Sequence, residues 1–250
     1  MDLDGTLYVG NEALPGVCDA LEKLRAARVP MRFLTNTTSK SLGAIVEKLD
    51  AMKLGIAAED IFTAPRVAAK ILRSRGVTRA HFLLKDSVLP DMEGIEPVDD
   101  GAQAVVVGDM GDAFSYERLN RAFRLLLDGA EFYALAENRM YRGGDAKSLD
   151  VGAGDRALEY ATHREAILLG KPSPAFFETT VSALGLSAAE VASVGDDLES
   201  DVGGGMGAGL KGVLVRTGKF REEELRASAI KPDAVIDSFA DVPELLAVGR

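Results

Sequence analysis

Short apolar runs alternate with amphipathic stretches along the whole of this 250-residue chain, and that alternation limits the folds open to it. The runs Met31–Thr35, His81–Leu84, Ala104–Val107, Phe132–Leu135, Ala166–Leu169, Val191–Val194, Gly212–Val215 and Ala234–Ile236 have the length of strands. Between them apolar residues recur at helical spacing. Leu42, Ile45, Val46, Leu49 and Met52 mark a helix from Ser41 to Leu54 that stops at Gly55. Further helices are expected from Pro15-Gly16 through Leu24, from Ala64-Pro65 to Gly76, over Tyr116–Leu127, through Leu158 and Tyr160, and over Ala175–Leu184. Repeated strand–helix units predict an α/β protein built on a mainly parallel sheet.

The chemistry begins at the first residues, Asp2-Leu3-Asp4-Gly5-Thr6. If this segment leaves a strand, alternation throws Asp2 and Asp4 to the same side. Two like charges held that close raise each other's pKa unless a cation or a proton is shared. The pair suits a divalent metal, or an anionic nucleophile beside a general acid/base. Alone, the pentad also reads as an acidic turn capping a helix. Three more polar motifs follow apolar runs: Leu34-Thr35-Asn36-Thr37-Thr38, Gly170-Lys171-Pro172-Ser173-Pro174, and Val194-Gly195-Asp196-Asp197-Leu198-Glu199-Ser200-Asp201-Val202. Open α/β sheets bind ligands outside the carboxyl ends of their strands, where all four motifs would fall. The roughly hundred residues between the second and third motifs carry strands and helices of their own, too much for a loop.

These four motifs, in this order, resemble the haloacid dehalogenase (HAD) superfamily of aspartate-nucleophile phosphatases. The resemblance is greatest to subfamily IIA, whose large C2-type α/β cap lies between the second and third motifs. That group holds NagD-like and 4-nitrophenylphosphatase-like proteins, HDHD-type proteins and phospholysine/phosphohistidine/pyrophosphate phosphatases. Asp201-Val202-Gly203-Gly204 and Val215-Arg216-Thr217-Gly218-Lys219-Phe220 are similar to the last of these. The resemblance implies a Rossmann-like parallel-sheet core from residues 1–65 and 170–250, with an α/β cap of residues 66–169 inserted. It implies Asp2 as nucleophile, Asp4 as general acid/base, and Mg²⁺ on Asp2, the backbone carbonyl of Asp4, and Asp196. Thr35, the amide of Asn36 and the amides of the Asp2–Asp4 loop, Leu3 among them, would bind phosphate oxygens. Lys171 would bring a positive charge to the phosphate and to Asp2. Asp197 and Asp201 would bind metal through water or orient Lys171. Asp4 favours a phosphatase over a dehalogenase, because a departing halide needs no proton. The family carries an apolar strand before its first motif, and here only Met1 precedes Asp2. Either the chain starts further upstream, or a central strand is cut short and a free α-ammonium sits beside Asp2.

The formal net charge of -10 argues against a nucleic-acid backbone or an anionic membrane surface as partner. One cysteine, Cys18, excludes an internal disulfide, and no apolar run reaches membrane-spanning length. No basic-then-apolar leader opens the chain, so a cytoplasmic protein is expected. The expected partner is a small phosphorylated substrate, with homodimerisation through the cap implied by the resemblance.

Other features carry less. Gly203–Gly209 reads as G-x-G-x-x-A but does not directly follow a strand, so close helix packing is the better reading. His81 and His163 stand alone, and Cys18 shares a helix face with Leu14 and Leu21. Asp155 and Arg156 lie in a Gly-rich turn, where they touch a leaving group or Asp155 caps a helix. The expected function is Mg²⁺-dependent hydrolysis of a small phosphorylated compound through an aspartyl-phosphate. Nucleotide, sugar phosphate, pyrophosphate and phosphoramidate remain open as substrates. A catalytically impaired phosphate- and metal-binding regulatory module is the second reading.

Overall fold

The computed structural model describes residues 1–143 and 146–248, and they divide into two compact units. The first comprises Met1–Thr35, Gly43–Phe62 and Lys171–Arg250; the second comprises Asn36–Leu42 and Thr63–Gly170. The sequence placed the inserted segment at 66–169. The structural division starts it at Thr63 and adds Asn36–Leu42, so the boundary runs between Thr35 and Asn36.

In the first unit Ala192–Gly195, Lys211–Val215 and Ala234–Ile236 form a parallel sheet, with Gly195 opposite Leu214 and Val215 opposite Ile236. Phe33–Thr35 pairs with Ile61–Thr63. The first residues of the chain lie between these two pieces. Asp2 donates its amide to the Val194 carbonyl at 2.8 Å, and Leu34 donates to the Met1 carbonyl at 2.8 Å. A single parallel bridge, Asp2 to Leu34, joins them. Two helices of this unit bury apolar faces: Val17, Ala20, Leu21 and Leu24 on Val17–Ala26, and Phe176, Phe177 and Val181 on Pro174–Ser182. Each such side chain, fully buried, contributes roughly 1.5–3 kcal/mol.

The glycines at 204 and 205 serve this packing. A Cβ on Gly204 would lie 2.7 Å from the Phe177 ring, and one on Gly205 would lie 2.5 Å from Ser193 Cβ. Cys18 is half-buried rather than buried.

The second unit has its own five-stranded, wholly parallel sheet, ordered Glu96–Pro97, Arg79–Leu83, Ala104–Val107, Glu131–Ala134, Ile167–Leu168. Ala104–Val107 is central and buried throughout, which is why it reads as an unbroken apolar run. Helices Tyr116–Leu127 and Gly152–Thr162 cover Leu83, Val105, Val107 and Phe132 with Leu125, Leu126 and Leu158. Ala104–Val107 and Ala192–Gly195 therefore belong to different sheets. The order of the five strands reverses between Arg79–Leu83 and Ala104–Val107, the position where such sheets open a ligand crevice. At the carboxyl ends of those two strands Lys85 pairs with Asp109 at 2.8 Å. The Asp109 amide donates to Thr38 Oγ1 at 3.0 Å. Among the described residues no helix is long and apolar enough to cross a membrane.

Candidate active site

In the first unit Asp2, Thr35 and Asp196 stand at the carboxyl ends of a bridge or strand. Asp2 follows the Met1 pairing, Thr35 ends Phe33–Thr35, and Asp196 follows Ala192–Gly195. Parallel neighbours deliver their carboxyl ends to one edge of the sheet, so residues nearly two hundred apart in sequence meet there.

The meeting point is an ion-pair network on Lys171. Its Nζ donates to Asp2 Oδ1 at 2.5 Å and to Asp201 Oδ1 at 2.6 Å. Lys171 and Asp201 are buried. Burial pulls the Lys171 ammonium down, but Asp2 and Asp201 overrule it and hold the group well above its ordinary value. The lysine stays charged, as a buried cation between two carboxylates must. Asp201 Oδ2 accepts the Asp197 amide at 3.1 Å, so both of its oxygens are committed. Burial pushes Asp201 up to about 6, with Lys171 opposing.

Asp196 is 2% exposed and accepts the Lys219 amide on Oδ2 at 2.7 Å. Burial first, then the charge of Asp2, push it up to about 7. Asp2, Asp196 and Asp201 each offer a carboxylate oxygen within 4.8 Å of the others. Three such oxygens, two of them buried, in a site where Asp196 already resists carrying charge, call for a hard cation with oxygen ligands. The residues present fit Mg²⁺. Asp201 engages Lys171 through one oxygen and the Asp197 amide through the other, which leaves Asp2 and Asp196 as the carboxylates better placed to serve a cation.

Asp197 has a different task. It accepts the amides of Glu199 and Ser200, capping the helical turn that carries Asp201, and it pairs with Lys219 Nζ at 3.1 Å. Burial would raise its pKa; Lys219 and the capped amides hold it below the usual value.

The remaining expected residues are placed as follows. Asp4 is exposed. Leu3 is fully buried, and its carbonyl accepts the amides of Thr6, Leu7 and Tyr8, closing the turn that follows Asp2. Thr35 is buried at its strand end. Asn36 belongs to the second unit, where its side-chain oxygen lies 2.9 Å from the position a Cβ on Gly170 would take. The Met1 amino group donates to the Arg32 carbonyl at 2.9 Å, and burial lowers it to about 5.

Asp155, expected either near a leaving group or as a helix cap, is neither capping nor exposed. It lies inside the first turn of Gly152–Thr162, fully buried, with both oxygens lacking a hydrogen-bond partner. Burial, then Glu137 and Glu159, push it up to about 8. Arg156 pairs with Glu159 and with Glu137 instead. His81 is buried with Nδ1 3.0 Å from the Val98 carbonyl, a packed strand residue.

The haloacid dehalogenase-like hydrolase profile matches residues 1–96, and the HAD-hydrolase-like profile matches 168–242. Haloacid dehalogenase-like hydrolase domain-containing protein 2 of Homo sapiens is 40% identical over 239 residues, covering 96% of this chain and 91% of its own. The chain belongs to the haloacid dehalogenase-like hydrolase family. This HAD hydrolase is also 35% identical over 256 residues to the phospholysine phosphohistidine inorganic pyrophosphate phosphatase of Danio rerio, covering 100% of this chain and 94% of the relative. Its fold superposes on 4-nitrophenylphosphatase from Thermotoga maritima with a TM-score of 0.91 at 29% identity, covering 97% and 94% of the two chains. NagD from E. coli K-12, at 23% identity and a TM-score of 0.89, shares the same α/β fold. The HAD hydrolase site thus gathers Asp2, Lys171, Asp196 and Asp201 in one unit with Thr35. Asp201 takes the second of the two roles expected of it, the partner of Lys171, while Thr217 and Lys219 had no place in the expected site.

Proposed function

We propose that this HAD hydrolase is a Mg²⁺-dependent phosphatase acting on a small phosphorylated compound through an aspartyl-phosphate on Asp2. The observation that carries the reading is the buried Lys171 bridge, 2.5 Å from Asp2 and 2.6 Å from Asp201, beside the carboxylate of Asp196. A carboxylate fixed in one orientation against a permanent cation is a nucleophile poised for phosphorus, since that cation also attracts phosphoryl oxygens. Asp2 forms the new O–P bond as the bond to the leaving oxygen breaks. Asp4, exposed and next but one in sequence, gives that oxygen its proton. The same carboxylate, now ionised, takes a proton from the water that cleaves the acyl phosphate and releases inorganic phosphate. Thr35 and the amides after Asp2 would hold the phosphoryl oxygens. Asp2, the Asp4 carbonyl and Asp196 would hold Mg²⁺, which supplies charge neutralisation for those oxygens when bound.

The names of the relatives point to phosphate monoesters, pyrophosphate and phosphoramidates as the substrate classes to try. The second unit is read as a cap that selects the leaving group, with Lys85 and Asp109 at the switch point of its sheet as the residues to vary first. A cytoplasmic location and dimerisation through that unit belong to the same proposal, the latter tested by sedimentation at several protein concentrations. The function itself is tested by hydrolysis of 4-nitrophenyl phosphate, pyrophosphate and a phosphoramidate, with Mg²⁺ and with EDTA. Turnover that needs Mg²⁺ and vanishes in Asp2→Asn supports the proposal; no turnover of any of them leaves a phosphate- and metal-binding module.

A further inference from the structure

The segment Thr217-Gly218-Lys219 follows the strand Lys211–Val215, immediate neighbour of the strand that delivers Asp196. Because Gly195 stands opposite Leu214, the two carboxyl ends leave the sheet side by side. The turn is closed by the Phe220 amide on the Thr217 carbonyl at 3.0 Å, and Arg216 braces it by lying 5.2 Å over the Phe220 ring.

Three contacts run from this turn into the site. Thr217 Oγ1 donates to the Gly5 carbonyl at 2.5 Å, across 212 residues of sequence. The Lys219 amide donates to Asp196 Oδ2 at 2.7 Å. Lys219 Nζ reaches Asp197 at 3.1 Å, and the Asp197 amide holds Asp201, the partner of Lys171. Gly218 and Gly5 pack around the Asp196 carboxylate from two directions. A Cβ on Gly218 would lie 2.0 Å from Asp196 Oδ2 and 2.6 Å from Gly5 Cα, and one on Gly5 would lie 2.1 Å from the same oxygen. Both glycines have positive φ, +55° and +91°, so the sequence can place no other residue there without strain.

We infer that Thr217-Gly218-Lys219 is a positioning element that registers the loop after Asp2 against Asp196, so that the oxygens offered to the metal keep a fixed separation. Thr217 anchors the loop that carries Asp2 and Asp4. The Lys219 amide anchors Asp196. One three-residue turn joins the two anchors, and neither Thr217 nor Lys219 needs to touch substrate. Rigid support of this kind is what tunes a metal site beyond its direct ligands.

The inference rests on Asp196 as a metal ligand, and Mn²⁺ titrated calorimetrically into the full chain without substrate tests the two claims separately. Asp196→Asn should abolish Mn²⁺ binding; retention would remove the metal reading itself. Thr217→Val keeps shape and volume but loses the hydroxyl bond, and it should weaken Mn²⁺ about tenfold, the scale on which outer partners of metal ligands act. The same variant should lower kcat while leaving KM for 4-nitrophenyl phosphate within twofold, and Thr217→Ser should restore both. Gly218→Ala, with an unchanged circular dichroism spectrum, should lose Mn²⁺ binding. Mn²⁺ affinity within twofold of wild type in Thr217→Val, alongside loss in Asp196→Asn, would overturn the inference while leaving the metal site intact.

Discussion

The buried carboxyl of Asp155 gives the sharpest test of the electrostatic reasoning. It lies in the first turn of Gly152–Thr162 with no hydrogen-bond partner on either oxygen, and its surroundings raise it from the ordinary 3.8 to about 8. Folding therefore takes up a proton between those two values. Where the folded state binds more protons than the unfolded one, stability falls as pH rises, by about 1.4 kcal/mol per pH unit for one proton. Roughly four units set a ceiling of about 6 kcal/mol, with about 4 kcal/mol already lost at pH 7. Asp155→Asn removes the titration, leaving a pH-independent cost of about 1–3 kcal/mol for a buried, unpaired amide. The variant should be no more stable than wild type at pH 4.5 and clearly more stable at pH 8.5. Native-state hydrogen exchange of helix Gly152–Thr162 at several pH values reads the difference in the unit that holds the residue. Parallel stability curves for the two proteins would refute the assignment of a neutral carboxyl. Glu159→Gln should shorten the pH range over which the wild-type loss runs, because Glu159 is among the charges that raise Asp155.

Asp2→Asn should fold and lose several orders of magnitude in hydrolysis, because an amide is a poor nucleophile; more than a few per cent of activity in purified protein counts against Asp2. Asp4→Asn should cost about 10²–10⁴-fold, more on an alkyl phosphate than on 4-nitrophenyl phosphate, whose leaving group needs no proton. Equal losses on both would remove the acid role. Asp196, raised to about 7, must shed its proton to bind metal, so the Mg²⁺ concentration for half-maximal rate should rise as pH drops from 8 to 6. A half-maximal Mg²⁺ concentration constant over that range would contradict it. Lys171→Met should destabilise by about 3–5 kcal/mol through the buried carboxylate of Asp201 and the half-buried one of Asp2 left without their cation, a loss visible in urea denaturation at pH 7 and reduced at pH 5 as Asp201, at about 6, takes up a proton.

Much of this protein is local and was therefore readable before folding. The periodicity of Leu42, Ile45 and Leu49, or the unbroken run Ala104–Val107, reports burial directly, because a residue's neighbours three or four positions away share its face. Thr35, Lys171 and Asp196 stood out because each of their polar motifs follows an apolar run, and Asp2 and Asp4 because two carboxylates stand two residues apart before a Gly-Thr turn. The hairpin Met140–Gly143 with Ala146–Leu149 escaped notice, since its short strands show neither a buried run nor a helical period. The tertiary structure alone decided which distant groups meet. Of the two roles open to Asp201, folding selects the pairing with Lys171, while Asp197, one residue from Asp196, is spent on capping. Thr217 finds Gly5 across 212 residues. Asp155 sits where no sequence rule would bury a carboxylate. Composition and spacing record what a residue prefers among its chain neighbours. Its pKa, its partners and its task come from atoms that parallel strands bring to one edge of a sheet, and those contacts have no signature in local sequence.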